Sequence, residues 1–462
     1  MHNAVSPAVE LSIGRLRGRL CGAAVEEYLG IPFCAPPIGA RRFQPPEPPT
    51  GWHGIRDATR CGPASLQPGS ARARLLQGDP GPTDEDCLTL NVWTPTERAA
   101  PLPVLVWVHG GAFTNGAGSI PVVCGARLAE IASCVVVTLN YRLGALGFAH
   151  HDDITADSPN RGLLDVVAAL EWVRDHIAAF GGDTARVTLG GESAGSMCVA
   201  LLSLQPELRC LFRQVILHSG IPTLQSPEAA RRAVEALAQR VDTTVSGLRT
   251  VPAPILVEGT REITRHRFWP VAIGPFSDPL SILTQHAPSR PTLISTTADE
   301  GSFFLIDDEW PEGITDEKIL AALVTTLGAQ VAHEVASDAG SGRLHESTIQ
   351  AITNQLYTKP ADQWATSLTA GASAVFRAEF VHPVQSWGGV LGATHTIDIP
   401  LLFDTHDSPE LAKLYADDDQ TERLAATLQQ RWARFLHTGS PARSDDPWPS
   451  WTRDNPFTQR LS

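Results

Sequence analysis

Short, almost unbroken apolar runs recur along the chain and predict strands that are buried on both faces of a sheet. These runs span 102–108, 135–140, 187–190 and 291–296. Between two of them, apolar residues recur at intervals of three and four, which places them on one face of a helix. That helical stripe consists of Leu163, Leu164, Val167, Leu170, Val173 and Ile177. Strands that alternate with helices indicate an α/β fold with a mostly parallel central sheet.

A sharp turn follows the strand predicted at 187–190 and carries the first candidate for chemistry. The turn reads Gly191-Glu192-Ser193-Ala194-Gly195, and a helix-forming run at 196–204 comes directly after it. A strand that reverses into a helix holds the middle residue in a strained backbone, so the residues two positions away must lack bulk. Gly191 and Gly195 meet that requirement. The pattern therefore predicts that the Ser193 hydroxyl is lifted clear of the sheet as a nucleophile.

A serine hydroxyl is a poor nucleophile at neutral pH, so the chain must also supply a base, an acid that orients it, and oxyanion donors. The run at 102–108 ends in a loop with two adjacent glycines, Gly110 and Gly111. They let the backbone bend until both N–H groups point at one spot, where the N–H of Ala194 would join them. Two glycines can also simply end a strand. Beside the serine turn, we favour the oxyanion site.

In α/β-hydrolases the acid follows the serine along the chain, and the histidine follows the acid. Asp299 and Glu300 stand at the exit of the strand predicted at 291–296, and we choose Glu300. Of the histidines beyond it, His395 lies in a short turn between two apolar stretches. A histidine in a loop is usually only a solvated side chain. Its position and the need for a base make His395 the predicted base.

Further blocks in the same order carry a resemblance to a known family. They include Tyr28-Leu29-Gly30-Ile31-Pro32, Glu85-Asp86-Cys87-Leu88, Asn140-Tyr141-Arg142 and Asp299-Glu300-Gly301. With the serine turn and Gly392-Ala393-Thr394-His395, they make the chain resemble the type B carboxylesterases, the carboxylesterase and cholinesterase branch of the α/β-hydrolases. Bacterial para-nitrobenzyl esterases are the members that it resembles most.

The resemblance implies a fold and an activity. It implies one α/β-hydrolase catalytic domain over 1–462, in which helical insertions at roughly 226–249 and 315–380 lie over the active site. It implies hydrolysis of a small-molecule carboxylic ester through an acyl-serine, with no metal and no cofactor. Ser193 would be the nucleophile, Glu300 the acid and His395 the base, with the oxyanion donors on Gly110, Gly111 and Ala194. Members of that family usually have glutamate rather than aspartate as the acid.

Three alternatives stay open at this point. The same fold hosts acyltransferases and cyclases of biosynthetic pathways, and also noncatalytic binding proteins. Family members often join the position of Cys87 to a cysteine that is here Ser65, so we leave open whether Cys61 bridges to Cys87 instead. His218 replaces a customary glutamine, and it either tunes the pocket or only packs.

Five aromatic residues in or near these blocks suggest an apolar pocket, although core packing would explain each: Phe113, Phe268, Trp269, Phe303 and Phe304.

The composition of the chain limits the partners and the location that we expect for it. A formal net charge of -14 argues against a nucleic-acid partner. The amino-terminal residues show no basic start followed by an apolar core, and no apolar run is long enough for a membrane helix. We therefore expect a cytoplasmic protein without a membrane partner. The sequence leaves the particular ester and the oligomeric state undetermined.

Overall fold

The computed structural model describes residues 5–155, 160–222, 224–264, 283, 287–306, 314–339, 342–371, 373–415 and 418–462. Its strands are β1 Val5–Leu11, β2 Gly14–Cys21, β3 Val25–Pro32, β4 Ile55–Asp57, β5 Ala64–Ser65, β6 Thr83–Asp84, β7 Thr89–Pro95, β8 Leu102–Val108, β9 Val135–Leu139, β10 Gly182–Glu192, β11 Gln214–His218, β12 Thr292–Thr297, β13 Val375–Phe380 and β14 Thr458–Leu461. Its α-helices are α1 Ala71–Gln77, α2 Ala126–Ile131, α3 Gly144–Phe148, α4 Asp152–Thr155, α5 Arg161–His176, α6 Ala194–Ser203, α7 Pro227–Arg240, α8 Ala253–Thr264, α9 Asp316–Leu327, α10 Ala329–Ala339, α11 Leu344–Thr353, α12 Lys359–Thr369, α13 Ile399–Leu402 and α14 Asp419–Thr438.

One large sheet organises the fold. Its strands run in the order β1-β2-β3-β7-β9-β8-β10-β11-β12-β13-β14, and β4 pairs with β2 beside this path. From β9 to β14 every neighbouring pair is parallel, whereas β1, β2, β3, β7 and β9 pair antiparallel along their side of the sheet. The predicted mostly parallel sheet is confirmed. The carboxyl ends of β8, β10 and β12 consequently lie at the same edge.

Helices cover both faces of the sheet, and a large hydrophobic core lies on each face. Successive side chains of a strand point to opposite faces, and β8 shows this directly. Val104, Val106 and Val108 pack into a core shared with α5 and α6, whereas Leu105 and Trp107 pack into a core shared with α2 and α14. A strand with helices on both faces has no polar side, which is why 102–108 is an unbroken apolar run.

The predicted elements lie where the structure has them, but two differ in extent: β10 spans Gly182–Glu192 rather than 187–190, and the second helical range ends early. The helical stripe lies on α5, and the predicted strands correspond to β8, β9, β10 and β12. The range 226–249 contains α7 and a 3-10 turn, and 315–380 contains α9 to α12. The prediction of helix up to residue 380 was wrong at its end, because Val375–Phe380 forms β13. This segment pairs with β12 and β14, so neighbours distant in sequence determine its conformation.

The cysteines are free, including Cys61, which is exposed, and Cys87, which is buried. Ser65, at the family's usual cysteine position, donates a hydrogen bond from Oγ to the Cys87 sulfur at 3.2 Å. The predicted alternative of a Cys61 to Cys87 bridge is therefore not formed. Within the described ranges, no helix has the length and hydropathy to cross a membrane, and no group of three His, Cys, Asp or Glu is arranged to hold a metal.

We expect Leu170→Ala to lower the free energy of unfolding by about 2–5 kcal/mol, because Leu170 is fully buried on α5 and its removal leaves a cavity against the sheet. Urea denaturation measures the change. Glu171→Ala is the matched control on the exposed side of the same helix, and its effect should stay within about 0.5 kcal/mol. Equal effects of the two substitutions would contradict the layered packing.

Candidate active site

Ser193 lies between β10 and α6 in the strained conformation that the sequence predicted. Its φ is 53° and its ψ is -123°, a left-handed backbone that is unusual for a residue with a side chain. A Cβ on Gly191 would lie 2.7 Å from the Gly195 carbonyl carbon, and one on Gly195 would lie 2.1 Å from the Val108 oxygen. Both positions therefore need glycine. The Ser193 N–H donates to the His218 carbonyl at 2.9 Å, which holds the turn from the neighbouring strand.

Glu300 and His395 come from two loops and meet in a buried hydrogen bond. His395 Nδ1 lies 2.5 Å from Glu300 Oε2, so an ionised Glu300 accepts the Nδ1 proton. The other carboxylate oxygen accepts the N–H of Thr297 at 2.8 Å. Glu300 is completely buried and His395 is 2% exposed. The carboxylate thereby fixes the ring orientation and leaves Nε2 facing away from Glu300.

Ser193 and His395 both line one cavity of about 420 Å³. Gly111 lines it too, and a Cβ on Gly110 would lie 3.0 Å from the Ser193 Cβ, so the glycine loop passes directly beside the serine. Ala194 is the first residue of α6, immediately after Ser193. The structure thus brings all six sequence-predicted residues to one place.

The glycine loop is held in shape by contacts around it. Gly111 has φ of +112°, where a side chain would be strained, and a Cβ there would lie 2.2 Å from the Asn115 oxygen. Tyr141 stacks on the His109 ring and donates its hydroxyl to the His109 carbonyl at 3.0 Å. Among the described residues, the N–H groups of Gly110 and Gly111 donate no hydrogen bond to a backbone carbonyl.

Glu192, the residue before Ser193, is a second buried acid at this site. Its Oε1 lies 3.1 Å from His395 Nε2, on the side of the ring opposite Glu300. Burial raises the pKa of Glu192 to about 8, although the charge of His395 acts to lower it. The side chain is 3% exposed and packs beside Gly110, whose added Cβ would meet its Oε2 at 2.2 Å.

The charge around His395 determines how readily the ring takes a proton. Burial by itself lowers the pKa of His395, but the carboxyl groups of Glu192 and Glu300 outweigh burial. The net result is a pKa raised above the ordinary value of 6.5. An imidazolium at this position is therefore stabilised, which a base that accepts a proton during catalysis requires.

His218 lies behind the site rather than in the cavity. Its Nδ1 is 2.7 Å from Asp398 Oδ2, and its Nε2 accepts the indole N–H of Trp432 at 2.9 Å. Since Nε2 accepts, Nδ1 carries the ring proton and donates it to Asp398. Asp398 follows His395 by three residues, and the His218 carbonyl holds the Ser193 N–H. The pair therefore links the loop of the histidine to the turn of the serine.

Aromatic rings form the wall next to His395. Phe303 and Tyr357 lie against the imidazole, with ring centres 5.0 and 5.1 Å away, and Phe304 also lines the cavity. For Phe303 and Phe304 the sequence left pocket lining and core packing open, and both line the cavity. It missed Tyr357, because a tyrosine in the helical range 315–380 gives no signal of its own. Phe113 is buried and packs on Phe148 instead. The other two aromatic candidates, Phe268 and Trp269, lie outside the described residues.

Comparison with known proteins agrees with this geometry. The sequence profile of the carboxylesterase family matches residues 5–461. The para-nitrobenzyl esterase of Bacillus subtilis (strain 168) is 35% identical over 443 residues, which cover 92% of this chain and 89% of that protein. The phenmedipham hydrolase of Pseudarthrobacter oxydans is 33% identical, covering 93% of this chain and 90% of the relative. Among solved structures, a thermophilic PNB esterase superposes with a TM-score of 0.87 at 34% identity, covering 98% of this chain and 95% of that one.

We expect Glu192→Gln to change the pH dependence of stability. The pKa of Glu192 is about 8 in the folded chain and 4.5 in the unfolded chain, so the unfolded state loses this proton first as the pH rises. The free energy of unfolding therefore falls progressively between pH 4.5 and about pH 8. The variant lacks this cost. Its advantage in midpoint temperature over the parent should be small at pH 4.5, grow up to about pH 8 and then level off. A difference that is constant with pH would contradict the raised pKa.

Proposed function

This chain belongs to the carboxylesterase family and is an ester-hydrolysing enzyme of the α/β-hydrolase fold, and we propose that it works through a Ser193–His395–Glu300 triad and an acyl-serine intermediate. The observation that carries the proposal is the 2.5 Å hydrogen bond from His395 Nδ1 to the buried Glu300 carboxylate, with Ser193 and His395 in the wall of one cavity. The nucleophile, the base and the acid that orients the base are then all present.

In the first half-reaction, His395 Nε2 takes the hydroxyl proton of Ser193 while Oγ attacks the ester carbonyl carbon. The carbonyl oxygen becomes an oxyanion, which the N–H groups of Gly110, Gly111 and Ala194 stabilise. The C–O bond to the alcohol then breaks, and the imidazolium returns the proton to the leaving alcohol oxygen. The products are a free alcohol and an acyl group on Ser193.

In the second half-reaction, water replaces the alcohol. His395 takes a proton from water as its oxygen attacks the acyl carbon, and the same three N–H groups stabilise the second oxyanion. Collapse breaks the bond to Ser193 Oγ, which recovers its proton from His395. Glu300 stays ionised throughout and stabilises the imidazolium that forms twice in each cycle. Glu192, on the other side of the ring, adds to that stabilisation to the extent that it is ionised.

The residues that line the cavity favour the binding of esters with an aromatic group. Phe303, Phe304 and Tyr357 line it beside His395, and aromatic rings bury large apolar areas with little loss of conformational entropy. Relatives of this chain include a para-nitrobenzyl esterase and a phenmedipham hydrolase. We therefore propose para-nitrobenzyl and para-nitrophenyl esters as the first substrates to assay. Product analysis with added alcohols separates hydrolysis from acyl transfer to another acceptor.

The same proposal treats 1–462 as one catalytic domain whose two helical insertions border the entrance. Tyr357 supports this for the second insertion, because it lies in the π-helical turn Asn354–Thr358 between α11 and α12 and contacts the His395 ring. The first insertion ends just before α8, and Arg261, Glu262 and Thr264 of that helix line the cavity. Helices outside the sheet would thus influence which esters enter.

We expect Ser193→Ala to lower kcat for para-nitrophenyl acetate by on the order of 10³ or more while the fold stays intact, because the variant has no nucleophilic oxygen. Initial rates and circular dichroism measure the two properties. Ser203→Ala is the matched control, since Ser203 is a buried serine at the other end of α6 whose hydroxyl donates to the carbonyl of Ala200 at 2.7 Å. Retained turnover in Ser193→Ala would exclude the mechanism.

We expect kcat/KM to fall as pH decreases, with a midpoint above 6.5, because a protonated His395 cannot act as a base and its pKa is raised above that value. Glu300→Gln should move the midpoint to lower pH, since one of the carboxyl groups that raise the pKa is removed. It should also lower kcat by roughly 10² or more, as the amide cannot stabilise the imidazolium. Profiles from pH 5 to 9 test both effects, and an unshifted midpoint in the variant would exclude Glu300 as the partner.

A further inference from the structure

A second cavity of about 430 Å³ lies at the opposite edge of the sheet from the candidate active site. Its walls come from the segments that lead into β11 and β12 and from the start of β10, whereas Ser193 and Glu300 follow the far ends of β10 and β12. A strand of the length of β12 spans about 20 Å. The described residues that line this cavity are Thr184, Ala185, Arg209, Cys210, Phe212, Arg213, Ala287, Ser289 and Arg290.

The cavity concentrates positive charge on a chain of net charge -14. Arg209, Arg213 and Arg290 line it, and none of its described lining residues is an aspartate or a glutamate. Glu207, two residues before Arg209, does not line the cavity, and two acids near the start of β10 are paired elsewhere. Asp183 bonds to Arg186 at 2.9 Å, and Asp175 bonds to Arg174 at 2.7 Å. The described part of the chain therefore gives the three guanidinium groups no carboxylate partner.

Arg290 is the buried one of the three arginines that line this cavity. It is 7% exposed, its guanidinium carbon lies 4.2 Å from the centre of the Phe212 ring, and Nη1 donates to the Phe212 carbonyl at 2.8 Å. Nη2 is buried and has no hydrogen-bond partner among the described residues. Burial and then repulsion by Arg209 lower the pKa of Arg290 to about 10. A buried cation beside a second cation, with a donor unused, costs free energy unless an anion compensates it.

We propose that this cavity is a binding site for a phosphate-class oxyanion, held by the guanidinium groups of Arg209, Arg213 and Arg290. Arginine is suited to this because its planar group presents paired N–H donors that match the spacing of phosphate oxygens. The hydroxyl groups of Thr184 and Ser289 in the same wall offer further hydrogen bonds. The volume leaves room for a small organic group attached to the phosphate.

This site is separate from ester hydrolysis. Its residues lie beyond the amino ends of the strands whose carboxyl ends carry the triad, so the anion would not contact the ester. An anion that binds only the folded chain raises its stability with concentration. Anion binding would therefore raise the midpoint temperature of unfolding and leave the rate of ester turnover unchanged.

Titration calorimetry with inorganic phosphate on the full chain tests the proposal, with sodium chloride keeping ionic strength constant. The parent should bind phosphate saturably, and Arg209→Gln/Arg213→Gln should bind about tenfold more weakly, because charge-assisted hydrogen bonds are lost. Both positions are exposed, so the variant should fold. Arg232→Gln/Arg423→Gln is the matched control, with the same change of charge at exposed positions. Its phosphate affinity should equal that of the parent.

Two further measurements complete the test. Citrate and sulfate arms show whether carboxylate and sulfate oxyanions share the site. Turnover of para-nitrophenyl acetate should differ less than twofold between the parent and both double variants, which keeps this proposal independent of the triad. Absence of saturable phosphate binding to the parent, or equal weakening in both double variants, would overturn it.

Discussion

The buried hydrogen bond between His395 and Glu300 is the interaction on which the candidate site depends. It joins the loop after β12 to the loop before α13, and both partners are almost inaccessible to water. In such surroundings a carboxylate cannot be left unpaired without a large cost, so removal of either group affects the other. The ring is thereby held with Nε2 free of Glu300, and the backbone N–H of Thr297 holds Glu300 in turn.

The order of the strands makes this meeting possible. β8, β10 and β12 carry the glycine loop, the serine turn and the acid at their carboxyl ends, and parallel pairing brings these ends to one edge. The His218 carbonyl holds the Ser193 N–H from β11, and the His218 side chain holds Asp398, close to His395. Backbone and side-chain bonds of a single residue thus tie the two halves of the site together. The contacts by which His218 packs are therefore the same contacts that connect it to the site.

The site also concentrates buried acid around one imidazole. Glu192, Glu300 and Asp398 are each at most 3% exposed, and all three act to raise the pKa of His395. Burial raises the pKa of Glu192 itself to about 8. Such an arrangement lowers the stability of the resting protein, and it stabilises the imidazolium that the proposed mechanism requires. At the other edge of the sheet, Arg290 shows the reverse case, a buried cation to which no acid of the described residues is paired.

The amino-acid sequence alone predicted the four central strands β8, β9, β10 and β12 and the helices α5 and α6, because a strand covered on both faces leaves an unbroken apolar run and a helix on a sheet leaves a stripe. It also predicted Ser193 and the glycines around it, since a sharp turn admits few residue types. The choice of Glu300 and His395 needed the order of the family's residues, because a loop acid and a loop histidine have no periodicity of their own. Only the tertiary structure could reveal Glu192 beside the imidazole, Tyr357 in the wall, the link from His218 to Asp398 and the strand at Val375–Phe380. These features depend on groups that are distant along the chain, and which of them become neighbours is decided by the pairing of strands and the packing of helices.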